Sequence, residues 1–182
     1  MSDRSVNTRL FWTTALSVIA LDIVTKELAV RRLSPPHIPH QILGDVVRFT
    51  LAYNPGAAFS MSLGTQSRYI FGAFAVIALV ILWRLYRSSG PTDHARVIAL
   101  ALAWGGAAGN LLDRFRARAS VVDFIDVGVG TWRFWTFNVA DSAVTVGAIL
   151  LALVLWREDS AAARGDAEPA SATPVASDGE PL

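Results

Sequence analysis

The chain has 182 residues, 53% of them hydrophobic and 17% charged, with a net charge of +1. A soluble domain carries about 25% charged residues, so the deficit points to a membrane, and the near-neutral balance offers no electrostatic basis for binding nucleic acid. The absence of cysteine excludes disulfides, thiol catalysis, zinc–thiolate sites and lipid attachment to the chain's own cysteine.

Apolar residues gather into four stretches. The first covers residues 10–30, between Arg9 and Arg31, and is interrupted by Asp22, Lys26 and Glu27. A cleaved signal peptide competes for this stretch, since Arg4 and Arg9 precede an apolar core at 10–21. Apolar character continues to Val30 and three more such stretches follow, which favours a retained helix. The others, at 69–83, 97–112 and 142–156, are short against the roughly 17–25 residues of a span. Snorkelling of Arg84, Arg87, Arg96 and Arg157 lengthens them. The expected spans are then about 10–30, 69–86, 96–113 and 139–157. Residues 1–157 read as one four-helix transmembrane domain. The tail at 158–182 is rich in Ala, Ser, Pro, Asp, Glu and Gly, and is expected to be disordered.

An even number of spans puts both termini on one side and the connections 31–67 and 113–138 on the other. Positive charge does not choose the side. Arg31, Arg32, Arg48, Arg68, Arg114, Arg116, Arg118 and Arg133 fall on one face, and Arg4, Arg9, Arg84, Arg87, Arg96, Arg157 and Arg164 on the other, a near tie. Residues 46–53 alternate as a half-buried strand, ended by a turn at Asn54-Pro55-Gly56. Residues 121–127 and 131–137 read as two further strands joined by Gly128-Val129-Gly130. The fold class is therefore an all-α integral membrane protein with a small β-sheet and loop region on one side. Trp132, Phe134, Trp135 and Phe137 suit the headgroup layer, as part of that sheet or as a simple aromatic anchor.

A charge in lipid costs roughly 2.5–3.5 kcal/mol on insertion scales, so intramembrane polar groups need a reason. Asp22 and Lys26 are four apart on one face, the spacing of an ion pair, and are expected to shape a site with Lys26 keeping Asp22 ionised. In the third stretch Ala101, Gly105 and Gly109 recur every four residues and permit close helix approach. Asn110, Asp113 and Arg114 arrive together at its end; Asp113, beside Arg114, is expected to be ionised and structural. Asp123 and Asp141 differ, because no Lys or Arg lies between Arg118 and Arg133 or between Arg133 and Arg157. Carboxylates about 3 Å apart cannot both ionise, so such a pair shares one proton at neutral pH. The charged member can accept a proton from water while the neutral one protonates the carbonyl oxygen or leaving amine. Asp126 competes for this role, but an extended backbone over 121–127 turns it away from Asp123. Asn138, three residues before Asp141, is placed to cap the fourth helix.

Other chemistries fit poorly. His37 and His40 flank prolines in an expected loop and lack a clear third ligand for zinc. No HExxH, GxSxG or phosphate loop is present, and Ser60, Ser62 and Ser142 have no histidine in a span to serve them.

Five segments carry a resemblance: Asp22-Ile23-Val24-Thr25-Lys26, Asn54-Pro55-Gly56-Ala57-Ala58-Phe59, Gly105 to Arg114, Val122-Asp123-Phe124, and Phe137-Asn138-Val139-Ala140-Asp141. In these the chain resembles the bacterial lipoprotein signal peptidases, also called signal peptidase II. The resemblance implies an inner-membrane aspartyl endopeptidase with both termini cytoplasmic and the two long connections periplasmic. Its substrates would be prolipoproteins cleaved just before a diacylglyceryl-modified cysteine, and globomycin-type cyclic peptides would inhibit it. Asp123 and Asp141 carry over as the catalytic dyad. Asp22, Lys26, Asn54, Gly106, Asn110, Asp113, Arg114, Asn138 and Ala140 carry over as site-shaping or substrate-contacting positions, with no metal or organic cofactor expected. Small residues on the third helix would leave room for the signal-peptide helix, and the loops at 53–59 and 121–137 would cover the site. A small proton-coupled carrier or channel, or a scaffold whose acids pair with arginines, is the alternative.

Overall fold

The computed structural model describes residues 3–55, 66–116 and 120–165. Four helices form its body: α1 (Asp3–Arg32), α2 (Ser67–Arg87), α3 (His94–Phe115) and α4 (Val139–Gly165). Three of them, α2, α3 and α4, are long and apolar enough to cross a membrane. α1 is the longest at 30 residues, about 45 Å at 1.5 Å per residue, but Asp22, Lys26 and Glu27 dilute its apolar sequence. Those groups do not all face outward. Asp22 and Lys26 are buried, while Leu16, Leu21, Val24 and Leu28 lie on the exposed side.

α3 is the central helix and packs against the other three. Its glycines set the spacing. A Cβ at Gly105 would stand 2.8 Å from the Ala15 carbonyl of α1, and one at Gly106 would fall on the Ala140 carbonyl of α4. Across the same contact, a Cβ at Gly147 of α4 would lie 2.7 Å from the Ala99 carbonyl of α3. The small residues are thus taken up by helix packing within the chain. This corrects the expectation that they leave room for a substrate helix.

The bundle has two distinct ends. At one, Phe11 of α1 stacks on Tyr86 of α2 with centroids 4.1 Å apart, amid Trp12, Trp83 and Trp104. The Asn7 amide there donates to the Gly90 and Pro91 carbonyls at 2.9 and 3.1 Å, tying α1 to the α2–α3 turn. α4 arrives at this end too, where Glu158 pairs with Arg96 at 3.6 Å. It continues past Arg157 to Gly165, into the segment expected to be disordered. Alanines there favour a helix intrinsically. Residues 166–182 lie outside the described residues.

At the other end the α1–α2 and α3–α4 connections combine into one antiparallel sheet. Its strands are β1 (Pro39–Leu43), β2 (Val47–Asn54), β3 (Val121–Val129) and β4 (Trp132–Arg133), in the order β1-β2-β3-β4. Ala29 of α1 and Leu33, just past its end, pack with Leu51 and Phe124 to seat the sheet on the bundle. The sequence reading placed a loop at His37 and His40, but His40 lies in β1 opposite Phe49. β3 extends through Val129 and turns at Gly130, whose φ is +57°. The strand expected over 131–137 reduces to Trp132–Arg133 plus a bridge from Phe137 to Ile125. A bulge on β2 lies between Phe49, opposite Ile125, and Ala52, opposite Asp123. Bulges of this kind re-aim side chains next to functional sites.

Candidate active site

The site starts from one buried cation. Lys26, 1% exposed, sits 2.7 Å from Asp22 Oδ2 and 2.8 Å from Asp113 Oδ2, and its Nζ donates to Asn110 Oδ1 at 2.9 Å. An ammonium has three donors and no acceptor, so α1 and α3 supply one partner for each. Burial of such a charge is tolerable only with this degree of pairing. Asp22 Oδ1 accepts from the backbone N–H of Ala140 at 3.0 Å, which locks α1 to the first turn of α4. Gly109 makes this possible, since a Cβ there would sit 2.7 Å from Asp22 Oδ2.

Two amides carry the order outward to the acids. Asn110 accepts Lys26 on its oxygen, so its NH2 faces the other way and donates to Asp141 Oδ1 at 2.7 Å. Asn138, fully buried, donates from Nδ2 to Asp123 Oδ1 at 2.7 Å and to Asn110 Oδ1 at 3.1 Å. Its own Oδ1 accepts from the Asp141 N–H at 2.9 Å. Its backbone N–H donates to Asp141 Oδ2 at 3.1 Å. One asparagine therefore touches both carboxylates. Asp123 reaches it from β3 because Phe124 N and Ile125 N both bond the Phe137 carbonyl, which pins that strand beside the start of α4.

Asp123 is 4% exposed. Burial, then the neighbouring charge of Asp141, pushes its carboxyl up from 3.8 to about 7. Hydrogen bonds from Asn138 and Asn54, and the charge of Lys26, hold it back from rising further. Asp141, partly exposed on the first turn of α4, receives two N–H donors and the positive end of the helix dipole. That setting suits a carboxylate. Among the described residues neither acid forms an ion pair with Lys or Arg. Water held between a protonated and a charged carboxyl has both an acid and a base beside it.

Asp126 has a different setting. Arg133 Nε donates to its Oδ1 at 2.8 Å, and Thr50 donates to its Oδ2 at 3.1 Å. It is neutralised within the sheet and takes no part in the pair.

A family pattern described as Signal peptidase (SPase) II matches residues 14–157. The chain belongs to the signal peptidase II family. The lipoprotein signal peptidase of Mycobacterium avium (strain 104) is 45% identical over 152 residues, covering 80% of this chain and 78% of the relative. That of Coxiella burnetii (strain RSA 493 / Nine Mile phase I) is 47% identical over 139 residues, covering 74% and 82%. A solved structure described as a bacterial membrane enzyme superposes with a TM-score of 0.74 at 25% identity, covering 90% of this chain and 94% of that one. A second, described in the same words, gives 0.70 at 28%, with 80% and 91% covered. Membership makes this a membrane-associated protease and sets the carrier and scaffold readings aside.

In this signal peptidase II chain the sequence-derived positions converge on one network. Asp22, Lys26, Asn110, Asp113, Asn138 and Ala140 are joined to Asp123 or Asp141 by the contacts given above, and Gly106 is the contact that lets Ala140 approach. Asn54 hydrogen-bonds Asp123 from β2. Residues 56–59 of the expected covering loop lie outside the described residues. Arg114 does not pair with Asp113 as its neighbour position suggested. Its Nη1 donates to the Asn110 carbonyl at 2.8 Å, and Asp113 takes Lys26 and, at 3.5 Å, Arg116. Adjacent residues on a helix do not face each other. Arg114 instead walls a cavity of about 350 Å³ with Tyr69, Gly72, Ala73 and Val76 of α2. Sequence reasoning missed Arg116, whose i+3 spacing from Asp113 was the available signal. It also missed the Val122 N–H, which donates to Asp113 at 3.3 Å.

Proposed function

We propose that the protein is an aspartic endopeptidase of the bacterial inner membrane that removes the signal peptide from diacylglyceryl prolipoproteins, cutting just before the lipidated cysteine. The observation that carries this reading is the junction of Asp123 and Asp141 on Asn138. Two carboxyls held by one asparagine, Asp123 by its side-chain amide and Asp141 by its backbone N–H, with Asp123 raised to about 7, are the equipment for adding water to a peptide bond.

Asp141 takes a proton from water as the water oxygen bonds to the scissile carbonyl carbon. Asp123 gives its proton to the carbonyl oxygen, which yields a neutral gem-diol. Collapse of the diol breaks the C–N bond, the Asp141 proton passes to the departing nitrogen, and Asp123 recovers its own from a diol hydroxyl. Each acid ends as it began, and no cofactor enters. Asn138 and Asn110 hold the two carboxyls in register while charge moves between them.

All four helices cross the bilayer in this reading. Support comes from α1, whose exposed side chains Leu16, Leu21, Val24 and Leu28 are apolar while Asp22 and Lys26 turn inward. Lipid-facing helices carry their polar groups toward the bundle. Both termini are cytoplasmic, and the sheet lies at the periplasmic surface with Trp132, Phe134 and Trp135 exposed at headgroup level. A substrate's diacylglyceryl chains then stay in lipid while its scissile bond meets the acids. Globomycin-type cyclic peptides would compete for the same acids.

The test is cleavage of a diacylglyceryl prolipoprotein by purified Asp123→Asn and Asp141→Asn variants in lipid, beside the same precursor without its diacylglyceryl group. The reading expects both variants to insert normally and lose activity by at least about a thousandfold, and the unmodified precursor to remain intact. Cleavage by either variant at the wild-type rate would overturn it.

A further inference from the structure

The bundle end away from the acids holds a second polar site. Between the start of α1 and the end of α2 is a pocket of about 70 Å³ lined by Arg4, Asn7, Thr8, Tyr86, Arg87 and Ser89. Its floor is fixed. Tyr86 and Asn7 are buried, the Tyr86 hydroxyl donates to Thr8 Oγ1 at 3.3 Å, and the Asn7 amide is spent on the α2–α3 turn. The hydroxyl protons of Thr8 and Ser89 go to the carbonyls of Arg4 and Leu85, at 2.9 and 3.1 Å. The donors still uncommitted are therefore the two guanidinium groups. Neither Arg4 nor Arg87 forms an ion pair among the described residues, whereas Arg96 at the same end is paired with Glu158.

We propose that Arg4 and Arg87 form a binding site for a phosphate-bearing ligand, the headgroup phosphate of an anionic phospholipid in the adjoining leaflet. Two like charges flanking one small polar pocket repel each other when it is empty, and a phosphate relieves this while taking parallel N–H donors from a guanidinium. The position fits a lipid. α1 and α2 both end here, and the outer side chains of α2 next along the helix, Ile81, Val80 and Ile77, are apolar and exposed, a path for acyl chains. The lipid source rests on the membrane-spanning arrangement but not on the peptidase chemistry, so its test uses no activity measurement.

The full-length protein is reconstituted in phosphatidylcholine discs containing a minor fraction of phosphatidylglycerol, and retained lipid is counted by native mass spectrometry. Wild type is expected to retain phosphatidylglycerol, and the Arg4→Gln/Arg87→Gln pair to bind it at least about tenfold more weakly, because two charge-assisted guanidinium–phosphate contacts are lost. The Arg84→Gln/Arg157→Gln pair removes equal charge from the same end outside the pocket and is expected to change retention less than about twofold. Equal losses in both double variants would overturn the site in favour of general charge attraction. Inorganic phosphate that displaces the lipid at micromolar concentration would overturn the lipid source and leave a soluble phosphate as the occupant. Matching unfolding curves in lipid-free detergent exclude misfolding of the variants.

Discussion

Asn138 and Asp141 cap each other: the side-chain oxygen of Asn138 accepts the Asp141 N–H at 2.9 Å, and the Asn138 N–H donates to Asp141 Oδ2 at 3.1 Å. This is a capping box with aspartate in the position usually held by glutamate or glutamine. The same interaction that starts α4 therefore orients a catalytic candidate, with the remaining Asn138 amide protons free to reach Asp123.

Asn138→Ala separates these duties. Loss of the cap is expected to cost about 1 kcal/mol of stability, while activity falls by about a hundredfold or more as the Asp123 carboxyl loses its Nδ2 donor and the first turn that carries Asp141 loses the bond from its backbone N–H to the Asn138 side chain. The Asn138 bond lowers the Asp123 pKa, so its removal moves that group further upward. A pH profile of kcat/KM is expected to show the alkaline limb of the variant at higher pH than in wild type. An unchanged limb with reduced activity would confine Asn138 to capping.

Asp123 predicts a pH-dependent stability of defined sign. Its carboxyl is raised from 3.8 to about 7 on folding, so between these values the folded state binds the extra proton. The stabilisation is fully present below the unfolded value and is lost as pH rises through about 7. At 1.36 kcal/mol per unit the contribution is roughly 4 kcal/mol. Asp123→Asn is expected to flatten unfolding free energy against pH across this window, measured in a mild detergent. Wild-type activity is expected to decline as the shared proton leaves, with an apparent pKa near 7 or somewhat above that belongs to the pair.

Lys26→Met leaves Asp22 and Asp113 buried without their common cation. Breaking a buried pair this way costs about 3–5 kcal/mol, and the variant is expected to unfold correspondingly earlier in detergent. Adding Asp22→Asn removes one stranded charge, with Arg116 still near Asp113, so the double variant is expected to recover part of the loss. A double variant no better than the single one would show that the stranded Asp22 charge is not what the loss of Lys26 costs.

How far this was legible in the sequence follows from the range of each interaction. Apolar runs marked the helices, and local spacing marked the Asp22–Lys26 pair and the Asn138 cap, which lie four and three residues apart. Lys26 with Asp113, and Asn110 with Asn138, are set by helix packing and have no signature in spacing; the resemblance supplied those residues without their contacts. β1 escaped because all five of its residues are exposed, leaving no alternation to read. The end of α4 is not legible because a segment with few large apolar residues reads as disordered, although its alanines favour extension of the helix to Gly165. Arg114 was matched to its chain neighbour when helix geometry turns the two apart.

Gly106 and Gly72 offer a paired test of whether helix spacing sets the acids. A Cβ at Gly106 would fall on the Ala140 carbonyl and 2.8 Å from Val144 Cγ2, so Gly106→Ala must push the first turn of α4 away from α3. That turn carries Asp141, and its bond from Asn110 is already at 2.7 Å. Displacement by a few tenths of an ångström strains the Asp22–Ala140 and Asn110–Asp141 contacts together, and activity is expected to fall by about a hundredfold with a stability loss of about 1–3 kcal/mol. Gly72 lies in α2 with nothing within 4 Å of its added Cβ. Gly72→Ala is therefore expected to be neutral or to stabilise by up to about 1 kcal/mol through helix propensity. Cleavage rates and unfolding midpoints of the two variants, measured side by side, separate the readings. Equal activities would mean that the position of α4 is set by the sheet and not by the glycine contact.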